Sequence, residues 1–258
     1  SVATGQEPAH VVVTPDGRTT YTSNGGDNTV TAIDVATMKR VASIAVGAFP
    51  HGMRPSPDGR WLYVANAKGT TLSVIDMSSN KRVADVWVGK APVQVAFSPD
   101  GRYVYASLNG ENAVAKVDVA TRKLVAKTRV GTGPIQVYVS PDGRYLLAAN
   151  QGTEERPSRT VSIVDTVDFR TIREVETGAG AHGVVVDPSS RHAYVTNIYG
   201  NDVAVLDLRE QRVVARIPVG AKPNGISFSP LAITSRPAAT IELPLGDKAM
   251  DEQMGGHG

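Results

Sequence analysis

A short turn motif recurs along this chain at a nearly fixed interval: TPDGR at 14–18, SPDGR at 56–60, 98–102 and 140–144, and a degenerate DPSSR at 187–191. The spacings are 42, 42, 42 and 47 residues. After each turn comes a short apolar run (TTYTSN, WLYVAN, YVYASL, YLLAAN, HAYVTN), then an alternating stretch ending in Asp (TVTAID, TLSVID, AVAKVD, TVSIVD, DVAVLD). A charged turn and a run closing on V-G or T-G complete the unit. Each unit holds four Val- and Ile-rich runs that alternate with period two between turn residues, the pattern of strands. No stretch keeps an apolar stripe at helical spacing. Four strands per unit of this length is the period of a propeller blade, and the alternation excludes a helical solenoid.

The remaining composition narrows function more than fold. At 258 residues the chain buries roughly three quarters of its extended surface on folding and needs no disulfide or metal to hold it together. It has no cysteine, which excludes thiolate metal sites and cysteine nucleophiles. Its formal charge of +2 arises from 27 basic and 25 acidic residues, interspersed rather than blocked. Nucleic acid is therefore not an expected partner. No run of 18 apolar residues occurs, so no membrane span is expected. The chain starts at Ser1 rather than Met, and removal of a secretory signal is the expectation.

The segments LYVAN (62–66) and AYVTN (193–197), each between a P-D-G-type turn and an alternating strand ending in Asp, resemble the YVTN β-propeller repeat. The resemblance covers roughly residues 8 to 229. It is specific for fold and poorly specific for function. Similar blades occur in archaeal surface-layer proteins, in the haem-binding domains of dissimilatory nitrite reductases and in quinoprotein amine dehydrogenases. It implies a periplasmic or extracellular location and something bound at the propeller mouth.

The expected architecture is all-β, a single propeller domain over 1–246 built from four-stranded antiparallel blades. Six inner strands begin after Pro8, Pro50, Pro92, Pro134, Gly180 and Pro223. The sixth, GISFSP (225–230), lacks a proper continuation, whereas SVATG (1–5) aligns with the tail of an outermost strand such as REVETG (173–178). Six blades, the last closed jointly by both termini, are therefore expected; the alternative is a seven-bladed ring of which this chain is a fragment. The segment 247–258 reads as a disordered polar tail.

Much of what repeats is structural. In each P-D-G turn Pro sets φ, Asp bonds the local backbone and Gly takes positive φ. Asp34, Asp76, Asp118, Asp165 and Asp207 fall one per blade at a strand end and are expected to cap turns. Asn24, Asn66, Asn150 and Asn197 are expected to order the turn that follows, with Asn109 compensating for Leu108 in the third blade.

Function belongs where the repeats differ. One alternate set along the inner strands is apolar and expected between blades; the other contains His10, Arg54, Gln94, Gln136 and Tyr138 and is expected to line the central channel. The position after each Pro reads Ala9, His51, Val93, Ile135, His182 and Asn224. His10, His51 and His182 thus enter at the start of inner strands, on the face that also carries the one clear insertion, QGTEERPSRT (151–160). Neutral imidazole ligates transition metals and haem iron. The candidate metal ligands are His10, His51 and His182. The candidate cofactor-binding residues are His51, His182, Arg54, Gln94, Gln136 and Tyr138. Copper, zinc or haem are the possible cofactors. Histidines of the nitrite-reductase propeller surround its haem from such a mouth, but this chain has no C-x-x-C-H and only 14 aromatic residues. His192 is expected to be exposed after a turn. His257 with Met250 and Met254 is a weaker copper-binding candidate.

No catalytic residues are assigned, because H-E-x-x-H, G-x-S-x-G and P-loop patterns are all absent. One enzyme-like match exists: Gly178, Gly180 and Gly183 have the G-x-G-x-x-G spacing. A dinucleotide loop needs a helix after its glycines, and VVVDPSSRHAYVTN follows here as strand, turn and strand. The sequence therefore favours a binding or scaffold protein that recognises a protein or small ligand on the top face. The alternatives are a metal- or haem-handling protein using the mouth histidines, and a cofactor-dependent enzyme.

Overall fold

In a computed structural model the described residues are 1–229. They contain five four-stranded antiparallel sheets, each with its strands in sequence order. Blade one is β1 to β4 (Pro8–Val13, Thr19–Asn24, Thr29–Asp34, Lys39–Ala45), and blade two is β5 to β8 (Pro50–Pro55, Trp61–Asn66, Thr71–Asp76, Lys81–Trp87). Blade three is β9 to β12 (Pro92–Phe97, Tyr103–Leu108, Ala113–Asp118, Lys123–Arg129), with a single 3₁₀ turn at Asn109–Glu111. Blade four is β13 to β16 (Pro134–Val139, Tyr145–Asn150, Thr160–Asp165, Arg170–Glu176), and blade five is β17 to β20 (Ala181–Val186, His192–Asn197, Asp202–Asp207, Arg212–Pro218). No helix among the described residues is long and apolar enough to cross a membrane.

Buried apolar side chains form four clusters, one between each consecutive pair of blades. Met53, Val95, Phe97, Val137, Val139, Val184 and Val186 all face the preceding blade and are buried, as the alternation predicts. Their counterparts in blade one, Val11 and Val13, are 64% and 54% exposed. Apolar packing thus joins each blade to its neighbours, as in other repeat architectures.

The turn chemistry follows the sequence. Gly17, Gly59, Gly101 and Gly143 all have φ between +71 and +74°. In the degenerate fifth turn Ser190 takes that role at φ +59°. The Asp side chains accept the N–H two residues on, as Asp100 does from Arg102 at 3.0 Å. The strand-end aspartates cap the third turn as expected; Asp118 accepts both the N–H and hydroxyl of Thr121 at 2.8 Å.

The asparagines behave differently from expectation. Their amide groups donate mainly across the sheet to hydroxyls rather than into the next turn: Asn66 to Thr71 and Ser73, Asn150 to Thr160 and Ser162. Each packs beneath a glycine that ends the preceding outer strand. A Cβ at Gly47, Gly131 or Gly178 would lie within 2.3–2.6 Å of the Asn66, Asn150 or Asn197 amide. Gly5 stands in the same relation to Asn24, although residues 1–5 form no strand. In blade three Asn109 does not substitute for the missing asparagine. Glu111 instead reaches across, accepting the Lys90 N–H at 2.7 Å and pairing with Lys127 at 2.8 Å.

All five inner strands begin with a bulge, in which two residues face one on the neighbouring strand. The spare N–H groups need partners. Ser23 accepts the His10 N–H at 3.1 Å, Ser107 the Gln94 N–H at 3.0 Å and Thr196 the Gly183 N–H at 2.8 Å. The same hydroxyls donate to the next repeat, to the carbonyls of His51 (2.7 Å), Ile135 (2.6 Å) and Asn224 (3.0 Å). Asn224 therefore occupies the place of a further inner strand beside blade five, as the sequence expects, but no strand is formed at 219–229. The remainder of the expected sixth blade, and the tail at 247–258, lie outside the described residues.

The glycine-rich match at 178–183 has a conformational explanation. Residues preceding the inner strands adopt left-handed backbone, including Phe49 (φ +54°), Ala91 (+50°) and Gly180 (+71°). A Cβ at Gly180 would meet the Tyr199 ring at 2.3 Å, and one at Gly183 the Asn224 carbonyl at 2.7 Å. These glycines are required by close packing.

The hydroxyl bridges yield a stability test. Ser107 is fully buried, so Ser107→Ala strands an N–H and a carbonyl at once. The expected cost is about 1–3 kcal/mol, a fall of several degrees in Tm by calorimetry. An unchanged Tm would show that the bridge contributes nothing.

Candidate functional site

The bulges decide what the mouth of the channel presents. In a regular strand, consecutive side chains point to opposite faces. A bulge re-aims the side chains at the start of each inner strand, and residues from all five inner strands line one cavity. Its walls are His10, His51, Val93, Gln94, Ile135, Gln136, His182, Asn224 and Gly225, and its volume is about 40 Å³. By the measure of roughly 10–15 Å³ per water, that is room for about three waters. Five residues singled out from the sequence, His10, His51, His182, Gln94 and Gln136, are brought together here. Arg54 and Tyr138 lie further along β5 and β13 and are not part of the cavity wall; Tyr138 packs against the apolar cluster between blades four and five.

The three histidines are held differently. His10 and His51 stand edge to face with ring centroids 4.6 Å apart. His51 Nδ1 lies 3.3 Å from the Val93 carbonyl, and His182 Nδ1 lies 2.7 Å from Gln151 Oε1. An imidazole nitrogen facing a carbonyl oxygen must carry the proton, so in both rings Nε2 is the lone-pair nitrogen. Gln151 is itself oriented by donating its amide to the Tyr199 hydroxyl at 3.0 Å. Burial, with His51, His182 and Arg54 nearby, lowers the pKa of His10 to about 3. Burial and His51 lower that of His182 to about 4, against a smaller opposing effect of Asn224. Both rings are therefore neutral at physiological pH. As their side chains stand, no group of three His, Asp or Glu among the described residues is positioned to hold a metal ion.

The two glutamines have fixed orientations. Gln94 Oε1 accepts the Val95 N–H at 3.0 Å and Gln136 Oε1 accepts the Val184 N–H at 2.8 Å. A backbone N–H can bond only the oxygen end, so each amide NH₂ is left as the donor. Gly52 makes this packing possible: a Cβ there would lie 2.2 Å from Gln94 Oε1 and 2.5 Å from the Val93 carbonyl.

The sequence profile of a YNCE-like beta-propeller matches residues 1–242. The chain belongs to the YNCE-like β-propeller family. Among solved structures this YNCE-like propeller is similar to hydrazine synthase of Kuenenia stuttgartiensis, with 22% identity, a TM-score of 0.65, and coverage of 87% of this chain and 90% of that one. At that identity the likeness concerns the fold alone. No curated protein matches the chain.

Three assignments change with the structure. His192 is half-buried, its Nδ1 is 3.2 Å from Asp187 and its Nε2 3.9 Å from Asp207, so it is a tethered side chain near the P-D-G-type turn. Gln151, read only as the first residue of the insertion, fixes His182. Repeat alignment carries a signal for it: the positions after the conserved asparagine or its equivalent read Gly25, Ala67, Asn109, Gln151 and Ile198. Asn224, read only as part of a column, closes the cavity wall. His257, Met250 and Met254 lie outside the described residues.

The depressed histidines link stability to pH. An imidazole with an ordinary pKa of 6.5 when unfolded binds protons there before it does in the fold. Stability is therefore full above about pH 6.5 and is lost as pH falls toward about 4 and about 3, the folded values of His182 and His10. Thermal melts from pH 7 to 4 should show a steadily falling Tm, and His10→Gln should flatten that dependence. An equal slope in the variant would contradict the buried, neutral state.

Proposed function

We propose that this YNCE-like propeller is an extracytoplasmic binding protein that takes a small ligand in the mouth of its channel. The convergence of five polar side chains, one from each of five blades, on one cavity of about 40 Å³ carries this reading. Binding sites are concave, few, and furnished with a small number of oriented polar groups. The extracytoplasmic location rests on the resemblance to YVTN-repeat proteins.

The histidine geometry supports a second reading, a transition-metal ion. Metal-ligating imidazoles commonly donate their other ring N–H to a carbonyl, as His51 does to Val93 and His182 to the Gln151 side chain. A metal would require these rings to turn toward one point.

His51→Ala combined with His182→Ala separates the readings. Titrations monitored by absorption, metal analysis and thermal shift, using copper(II), zinc(II), haem and a panel of small organic ions, identify the ligand in the parent protein. The double variant should lose that binding at least tenfold while its far-UV circular dichroism is unchanged. Retention of full affinity would place the ligand elsewhere.

A further inference from the structure

Arg54 projects from β5 one inward-facing position beyond Gly52, hence about 7 Å further along the strand than the cavity wall. Burial depresses its guanidinium below the ordinary arginine pKa, and among the described residues the one titratable group that opposes this is the Tyr138 hydroxyl of β13. Arginine keeps its charge even so. Among the described residues no Asp or Glu lines the cavity, and none forms an ion pair with Arg54. A desolvated charge without a counter-charge is costly. Above Arg54, at the level of His10, stand Gln94 and Gln136. Their oxygens are engaged by backbone N–H groups, so their NH₂ ends are the donors available to a ligand. At the rim, by contrast, His51 and His182 direct Nδ1 at carbonyl oxygens, and His182 is also bonded by the Asn224 side chain.

From this polarity we infer that the mouth receives a small oxyanion or carboxylate group, inserted charge-first toward Arg54 and bonded by the amides of Gln94 and Gln136. The inference rests on the reading of this cavity as a binding site and specifies its ligand class. Room for about three waters fits the three or four heavy atoms of formate, nitrate or acetate, or the head of a larger carboxylate reaching out past the rim.

The test follows the side-chain N–H resonances of Gln94, Gln136 and Arg54 by NMR, titrating sodium formate, acetate and nitrate into the full chain against sodium chloride at equal ionic strength. The expected result is a saturable shift of these resonances. Loss of one charge-assisted hydrogen-bond donor costs roughly ten- to a hundredfold in affinity. Arg54→Gln and Gln136→Glu should each show such a loss, the latter because the glutamate still accepts the Val184 N–H but presents a negative charge to the ligand. Arg54→Lys, which keeps the charge, should bind within several-fold of the parent and guards against misreading a folding defect. Butyrate or glutarate binding more tightly than acetate supports a larger ligand's head group; equal affinities support a free small anion. Anion binding unaffected by Arg54→Gln would overturn the inference. So would a cavity that binds acetamide or tetramethylammonium, sensitively to the His51→Ala/His182→Ala double variant, but no anion; in that case the site reading survives. Binding of none of these probes would overturn both.

Discussion

The bulge that opens every inner strand is the constraint on which the rest of this molecule depends. It breaks the ladder at the place where the blades come closest and leaves buried N–H and carbonyl groups that must be paired. Ser23, Ser107 and Thr196 resolve this by accepting from their own blade and donating to the next repeat. One hydroxyl thereby satisfies the bulge and stitches neighbouring blades together. In blades two and four the corresponding residues are Ala65 and Ala149, and in blade four Gln136 instead takes the Val184 N–H of blade five. The functional cavity and the inter-blade seams are accordingly made of the same atoms.

Much of the fold was legible because a propeller is written in short-range signals. The 42-residue period, the P-D-G turns and the alternation of Val and Ile each report on a few neighbouring residues, and all five blades appear at the places these signals mark. The faces of the inner strands were legible for the same reason. Val95 and Val137 pack between blades while Gln94 and Gln136 look inward. What alternation does not reveal is the bulge, since it assumes an unbroken pleat. It therefore treats Val93 and Gln94 as opposite-facing neighbours, although both line the mouth.

The details of the candidate site were less legible because its partners are far apart in sequence. His182 and Gln151 are 31 residues apart, and Ser107 and Ile135 are 28 apart. No local pattern announces such pairs; only comparison of equivalent positions among repeats does. The same applies to glycine. Gly180 and Gly183 look like punctuation in sequence, yet one avoids the Tyr199 ring and the other the Asn224 carbonyl. The electrostatic character of the channel emerges only in three dimensions. It depends on which acids stay away from Arg54, and interspersed charge along the chain gives no hint of that.

Among the described residues Val11 and Val13 of blade one are exposed, which has a consequence for how occupancy and opening are coupled. Where each blade is held by its neighbours, the blade with the smallest buried interface detaches at the lowest free energy. Blade one carries His10 and is fastened to blade two through the Ser23 bridge to His51. If it swings away, the cavity loses a wall. A ligand in the mouth then acts as a rivet across this seam, and its binding energy is measurable as slower amide exchange in β1 and β2, far in sequence from the groups that hold it.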